Sequence, residues 1–131
     1  MSKHIYQAIN STFFDTHNIS SKPLSITKEF VFEKAVIANI GNVTNNMTFI
    51  NTYLPRITQF KLKEMGQLKL KDGQTINWIS SDIGIINSNG FTFQGMVLFN
   101  NTNSEKLLFL KNTIGIYKET PEIKRTIGLL N

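Results

Sequence analysis

From Phe60 to Phe99 apolar and polar residues alternate through three consecutive runs, broken only at Lys71-Asp72-Gly73 and at Asn87-Ser88-Asn89-Gly90. A period of two gives each run one dry face and one wet face. Asp-Gly or Asn-Gly between such runs marks a tight hairpin. These two facts constrain the centre of the chain to an antiparallel meander, with strands over residues 56–70, 75–86 and 91–100.

The flanking segments extend the same pattern. Residues 27–40 alternate, with Phe30, Phe32, Val36, Ala38 and Ile40 on one face and Val31, Glu33, Ala35, Ile37 and Asn39 on the other. Residues 47–53 read as a further strand ended by Pro55, which cannot join a ladder interior. A turn is expected at Gly41-Asn42 or at Asn45-Asn46. Ser104 can cap one short helical turn within residues 104–111, with Asn112 near its end. The last strands cover residues 113–118 and 122–130. Seven or eight strands with short connections predict an all-β chain that closes as a small antiparallel up-and-down barrel.

Residues 1–22 read differently. Ile5, Tyr6, Ile9 and Phe13 recur at helical spacing, which predicts a short amphipathic helix ending near residues 15–18; a strand is the competing reading. One domain is expected over residues 1–131, with an N-terminal segment over 1–22 and the barrel over 23–131.

A chain of 131 residues can bury one core without covalent staples. It has no cysteine, which excludes disulfides and thiolate metal sites. The first eight residues lack the apolar core of a signal peptide, and no window approaches the ~20 apolar residues of a membrane span. A soluble, cytoplasmic chain is therefore the expectation. The net charge of +5 invites a nucleic-acid reading of Lys61, Lys63, Lys69 and Lys71, which share one strand face or its end. RNA-binding sheets pair such rows with exposed aromatics. Here the aromatics alternate onto the opposite face, so a solvated lysine face is the better reading and nucleic acid is not an expected partner. Neither His4 nor His17 belongs to a metal-ligand spacing, and neither a nucleophile elbow nor a phosphate loop occurs. No metal, cofactor or membrane partner is expected.

Candidate chemistry lies on the apolar strand faces. Glu64 shares its face with Leu62, Gly66 and Leu68, where a carboxylate would have its charged form disfavoured and could act as an acid, a base or a ligand anchor. Its bland alternative is a place at a hydrated barrel mouth. Trp78, Ser80 and Asp82 share a face that could line a pocket with an aromatic floor and a polar rim; alternatively Trp78 is an ordinary core residue. Asn51, Tyr53 and Phe93 complete the candidate lumen. Phe30, Phe32, Phe49, Phe60, Phe91, Phe93 and Phe99 are a candidate lining or filling. No catalytic residue is named by any motif.

The segment 66–117 resembles a family of small uncharacterised prokaryotic β-barrel proteins. The shared residues are Gly66, Asp72, Gly73, Trp78, Gly84, Gly95, Phe99, Lys106, Leu107, Leu110, Asn112, Gly115 and Tyr117. That family is similar in architecture to barrels of the allene oxide cyclase and dirigent type. Glu64, Ser80 and Asp82 stand where its pattern has glycine. The resemblance implies the barrel but no assigned activity. Three functions follow as expectations: binding of a small apolar ligand in the barrel, a filled interaction module acting as a homo-oligomer, or an isomerase- or cyclase-like enzyme on an apolar substrate.

Overall fold

The structure is a computed structural model that describes residues 4–54, 59–88, 90–102, 104–121 and 124–130. Eight strands follow one another: β1 (His4–Ser20), β2 (Ser25–Ile37), β3 (Gly41–Tyr53), β4 (Gln59–Leu70), β5 (Thr75–Asn87), β6 (Gly90–Thr102), β7 (Ile114–Glu119) and β8 (Thr126–Leu129). Each pairs antiparallel with the next, and β8 pairs with β1, so the sheet closes in sequence order. The expected all-β up-and-down barrel is what forms. The central meander has Leu62, Leu68 and Leu70 buried and Lys61, Lys63 and Lys69 exposed. The β4–β5 turn carries Gly73 at a φ of 90°, a conformation that an L side chain rarely adopts.

The N-terminal helix does not form. Residues 4–20 are strand β1, paired with β2 from Tyr6–Ile37 to Ser20–Ile26. Three register shifts, between Ala8 and Asn10, Phe13 and Asp15, and Asn18 and Ser20, interrupt the pairing. Each bulge adds a residue and resets which face the next side chain meets. Apolar residues in a bulged strand can then recur three or four apart, which imitates a helical period. The segment is therefore wall rather than appendage. Closure with β8 involves His4 to Gln7 and is continued by the Ala8 N–H on the Arg125 carbonyl and by Lys124 on the Ile9 carbonyl; beyond that point the β1 ladder runs with β2 among the described residues.

The turn after β2 spans residues 38–40, with Asn39 at a φ of 67°. β3 then starts at Gly41, and Asn45 and Asn46 lie within it rather than in a turn. Pairing Ile37 with Gly41 points Glu33, Ala35 and Ile37 inward and Phe30 and Phe32 outward. The latter two do not line the interior. Phe49 and Phe99 do, while the side chain of Phe60 lies outside the described residues.

One end of the barrel is sealed. The short helical turn falls where expected, as a 3-10 segment at Leu108–Leu110. Ser104 Oγ accepts the Leu107 N–H at 3.2 Å, and Asn112 ends the turn at a φ of 58°. Leu107 and Leu110 are fully buried and fill the lumen against Leu68, Ile76 and Phe99, all in one core. The expected capped turn is thus also the plug.

Gly66 explains how Trp78 fits inside. The two are cross-strand partners, and a Cβ on Gly66 would lie 2.6 Å from Trp78 Cε2 and 2.8 Å from the Asn46 carbonyl oxygen. The indole lies over the space that a side chain would take. Its Nε1 donates to Asn45 Oδ1 at 2.9 Å. Gly66→Ala should displace the ring, break that bond and destabilise the fold by about 2–3 kcal/mol. The checks are urea unfolding and a red shift of the emission of Trp78, the single tryptophan. Unchanged emission would mean that Trp78 is not held by this contact.

Candidate functional site

The interior opposite the plug is polar and charged. Arg125, just before β8, puts its guanidinium into the barrel. Nη1 lies 3.2 Å from Glu33 Oε1, Nη2 lies 3.3 Å from Glu119 Oε1, and Nε donates to the Tyr117 hydroxyl at 2.9 Å. The guanidinium also sits over the rings of Phe49 and Tyr117, at 5.2 and 5.1 Å. Burial works against its charge, but Tyr117, Glu33, Glu64 and Glu119 outweigh that and hold it charged above the usual arginine range. Glu33 is 1% exposed and accepts from the hydroxyls of Tyr6 and, at 2.6 Å, Ser11. Burial, then the Glu33 charge, pushes the Tyr6 phenol up, so it remains a donor. Asn45 ties Tyr6 to Trp78 through bonds of 3.1 and 2.9 Å. One connected network therefore reaches from Ser11 to Trp78.

A carboxyl pair lies beside this network. Glu64 accepts from Ser80 Oγ at 2.6 Å, and Asp82 is its neighbour on β5. Both carboxylates are 3% exposed. Desolvation first, and the nearby Glu64 second, raise Asp82 far above the carboxylate range, so Asp82 is neutral at pH 7. Glu64 Oε1 and the Asp82 oxygens have no donor while both groups are ionised; protonated, Asp82 shares a hydrogen bond with Glu64. Gly95 makes the room: a Cβ there would fall on Asp82 Oδ1 and the Ser81 carbonyl.

Above the polar layer the barrel opens. A cavity of about 670 Å³ is lined by Phe49, Asn51, Tyr53, Leu62, Phe91, Phe93 and Tyr117, with Glu29, Glu119, Lys124 and Arg125 as its charged groups. Phe13 and Pro121 stand at its rim. Phe91 and Phe93 stack at 5.9 Å. Asn51 is held in place by donating to Thr27 Oγ1 at 3.2 Å and to Glu29; its own carbonyl oxygen is buried and accepts nothing from the protein.

The candidate lumen residues thus separate into two groups. Asn51, Tyr53 and Phe93 line the open cavity. Trp78 is a core residue bonded to Asn45, and Glu64, Ser80 and Asp82 sit inside the wall but do not line the cavity. Asp82 occupies the cross-strand row Asn51–Leu62–Asp82–Gly95–Tyr117, three of whose members do line it. The carboxyl pair therefore lies level with the cavity floor, behind it.

No family model matches the chain, and no curated protein matches it. A crystal structure of a protein of unknown function from Clostridium acetobutylicum ATCC 824 is similar over 100% of this chain and 99% of that one, at a TM-score of 0.70 and 14% identity. An identity that low shows a shared small-barrel fold alone. Among the described residues no group of three or more His, Asp or Glu side chains could hold a metal, and no helix is long and apolar enough to cross a membrane.

Sequence reasoning missed the centre of the site. Arg125 lies in residues 125–128, all buried, where alternation is lost and no face can be assigned. Glu33 did carry a signal: it is the one charge among Val31, Ala35 and Ile37. Tyr6 was hidden by the bulged register of β1.

Proposed function

We propose that the chain binds one small molecule in the open end of its barrel, with an apolar body and a hydrogen-bond-donating end. The supporting observation is the 670 Å³ cavity, whose walls are largely aromatic and aliphatic, with the acceptors Asn51, Glu29 and Glu119 and with its two cations already engaged, Lys124 on the Ile9 carbonyl and Arg125 on the carboxylates. The apolar body would lie against Phe49, Leu62, Phe91 and Phe93. The polar end meets Asn51, Glu29 and Glu119. Every nitrogen of Arg125 already has a partner among Glu33, Glu119, Tyr117 and Met47, which disfavours an anionic head. A hydroxyl or protonated amine is the complementary chemistry, since the buried Asn51 oxygen lacks a donor.

Native mass spectrometry of the purified chain should show a bound small molecule, or saturable one-to-one binding of an apolar fluorescent amine. Phe93→Ala should weaken that binding about tenfold by removing an aromatic wall. Binding that is equal in the variant, or a non-saturating signal, would overturn the reading.

The filled interaction module fits the plugged end but not the open one. An isomerase- or cyclase-like activity, as allene oxide cyclase barrels suggest by architecture, needs an acid that touches the substrate. Asp82 has the raised protonation, but Leu62 and Tyr117 line the cavity where it does not. Binding is therefore the better reading.

A further inference from the structure

The outer wall of β4 to β7 is not an ordinary solvated surface. Met65 on β4 pairs with Ile79 on β5, Ile79 with Leu98 on β6, and Leu98 with Ile114 on β7. All four side chains point outward, and they are between 37% and 54% exposed. Ile83 and Met96 widen this row on the same wall, each about half exposed. A contiguous aliphatic patch across four strands is more than the scattered apolar exposure of a solvated wall.

The charges around it have one sign. Among the described outward residues of these strands, Lys61, Lys63, Lys69 and Lys118 are charged and none is acidic. The acids of the same strands, Glu64, Asp82 and Glu119, all face the interior. Folding therefore sequesters anions inside the barrel and leaves this wall more cationic than the net charge suggests.

We infer that this wall docks on the surface of an anionic lipid bilayer, with the aliphatic row at the headgroup–acyl boundary and the lysines on lipid phosphates. Charge complementarity selects this occupant. A second copy of the chain would bring lysine rows together in an isologous contact with no acid on the wall to meet them. Single-stranded nucleic acid calls for stacking platforms, and the aromatics of β5 and β6 point inward. β1 exposes Ile9, Phe13 and Ile19 as well, but the outward faces of β3 and β4 carry Thr44, Asn46, Thr48 and the three lysines, so the apolar surface does not run continuously round the barrel. The contact is one-sided and lies on the membrane rather than across it.

The experiment is co-sedimentation of the full chain with vesicles of phosphatidylcholine alone or mixed with phosphatidylglycerol. Binding is expected only to the mixed vesicles, and should weaken as salt is raised. The triple change Lys61→Glu, Lys63→Glu, Lys69→Glu should weaken it at least ~100-fold, at about fivefold per charge removed from the surface. Ile79→Ser with Leu98→Ser should weaken it ~10-fold with the lysines intact. All five positions are exposed, and far-UV circular dichroism confirms that the variants stay folded. Equal sedimentation with both vesicle types, or none with either, overturns the proposal. So does a dimer by light scattering that Ile79→Ser with Leu98→Ser dissolves, or binding to a single-stranded oligonucleotide in place of vesicles.

Discussion

Replacing Arg125 with methionine lowers the unfolding free energy by about 3–5 kcal/mol and the melting temperature by about 10–20 °C. The change removes the cation beside Glu33, which is almost fully enclosed, and leaves its carboxylate with only the hydroxyls of Tyr6 and Ser11. An uncompensated buried charge is among the few single defects that large. The ion pair itself contributes little net stability, because desolvating two charges offsets most of their attraction. The double variant Glu33→Gln with Arg125→Met should therefore recover more than half of the loss. Urea unfolding of the wild type, both single variants and the double completes the cycle. A loss below about 1 kcal/mol in Arg125→Met would show that the Glu33 carboxylate is not enclosed as described. The same variant should also reshape the cavity floor, since the guanidinium packs on Phe49 and Tyr117.

Replacing Asp82 with asparagine has the opposite effect. Asp82 is neutral when folded because burial and Glu64 raise its pKa, whereas in the unfolded chain it ionises near 4. The folded state binds the extra proton, so its advantage is complete below about pH 4 and is lost as pH rises toward the raised value. Wild-type stability carries this penalty at neutral pH, and Asp82→Asn removes it. The variant should be more stable by about 2–4 kcal/mol at pH 8, and by much less at pH 4. The difference between the two proteins should grow with pH at no more than about 1.4 kcal/mol per unit. Chemical unfolding at pH 4, 6 and 8 measures it. A difference that does not change with pH would mean that Asp82 is ionised in the folded protein. Its closeness to the cavity row makes Asp82→Asn a useful companion in the binding assay.

The legible parts of the barrel share a physical character. Leu62, Leu68 and Leu70 against Lys61, Lys63 and Lys69 could be read because a regular strand converts sequence parity directly into facing. Asp72-Gly73 could be read because a tight turn needs a positive φ at the glycine. The short helical turn could be read because Ser104 caps locally, within three residues. Where parity breaks, legibility ends. The bulge between Ala8 and Asn10 falls inside the run Ile5, Tyr6, Ile9 and Phe13 and gave it the spacing of a helix. The stretch 125–128 is buried on every side and has no face to read. The hairpin after β2 was expected at Gly41 or later and falls at residues 38–40, which moves Asn45 from a turn into the interior.

Local chemistry, then, decided the strand order, the hairpins, the short helical turn and which lysines meet water, because alternation, turn conformation and capping act over a few residues. Tertiary structure alone decided that Arg125 meets Glu33, 92 positions away in sequence. Closure of β8 on β1 carries both into one lumen, and no pattern along a single strand encodes which inward charges will share it. The open end arose the same way: the fillers Leu107 and Leu110 come from one loop, so they reach one mouth and leave the other to Phe91, Phe93 and Asn51.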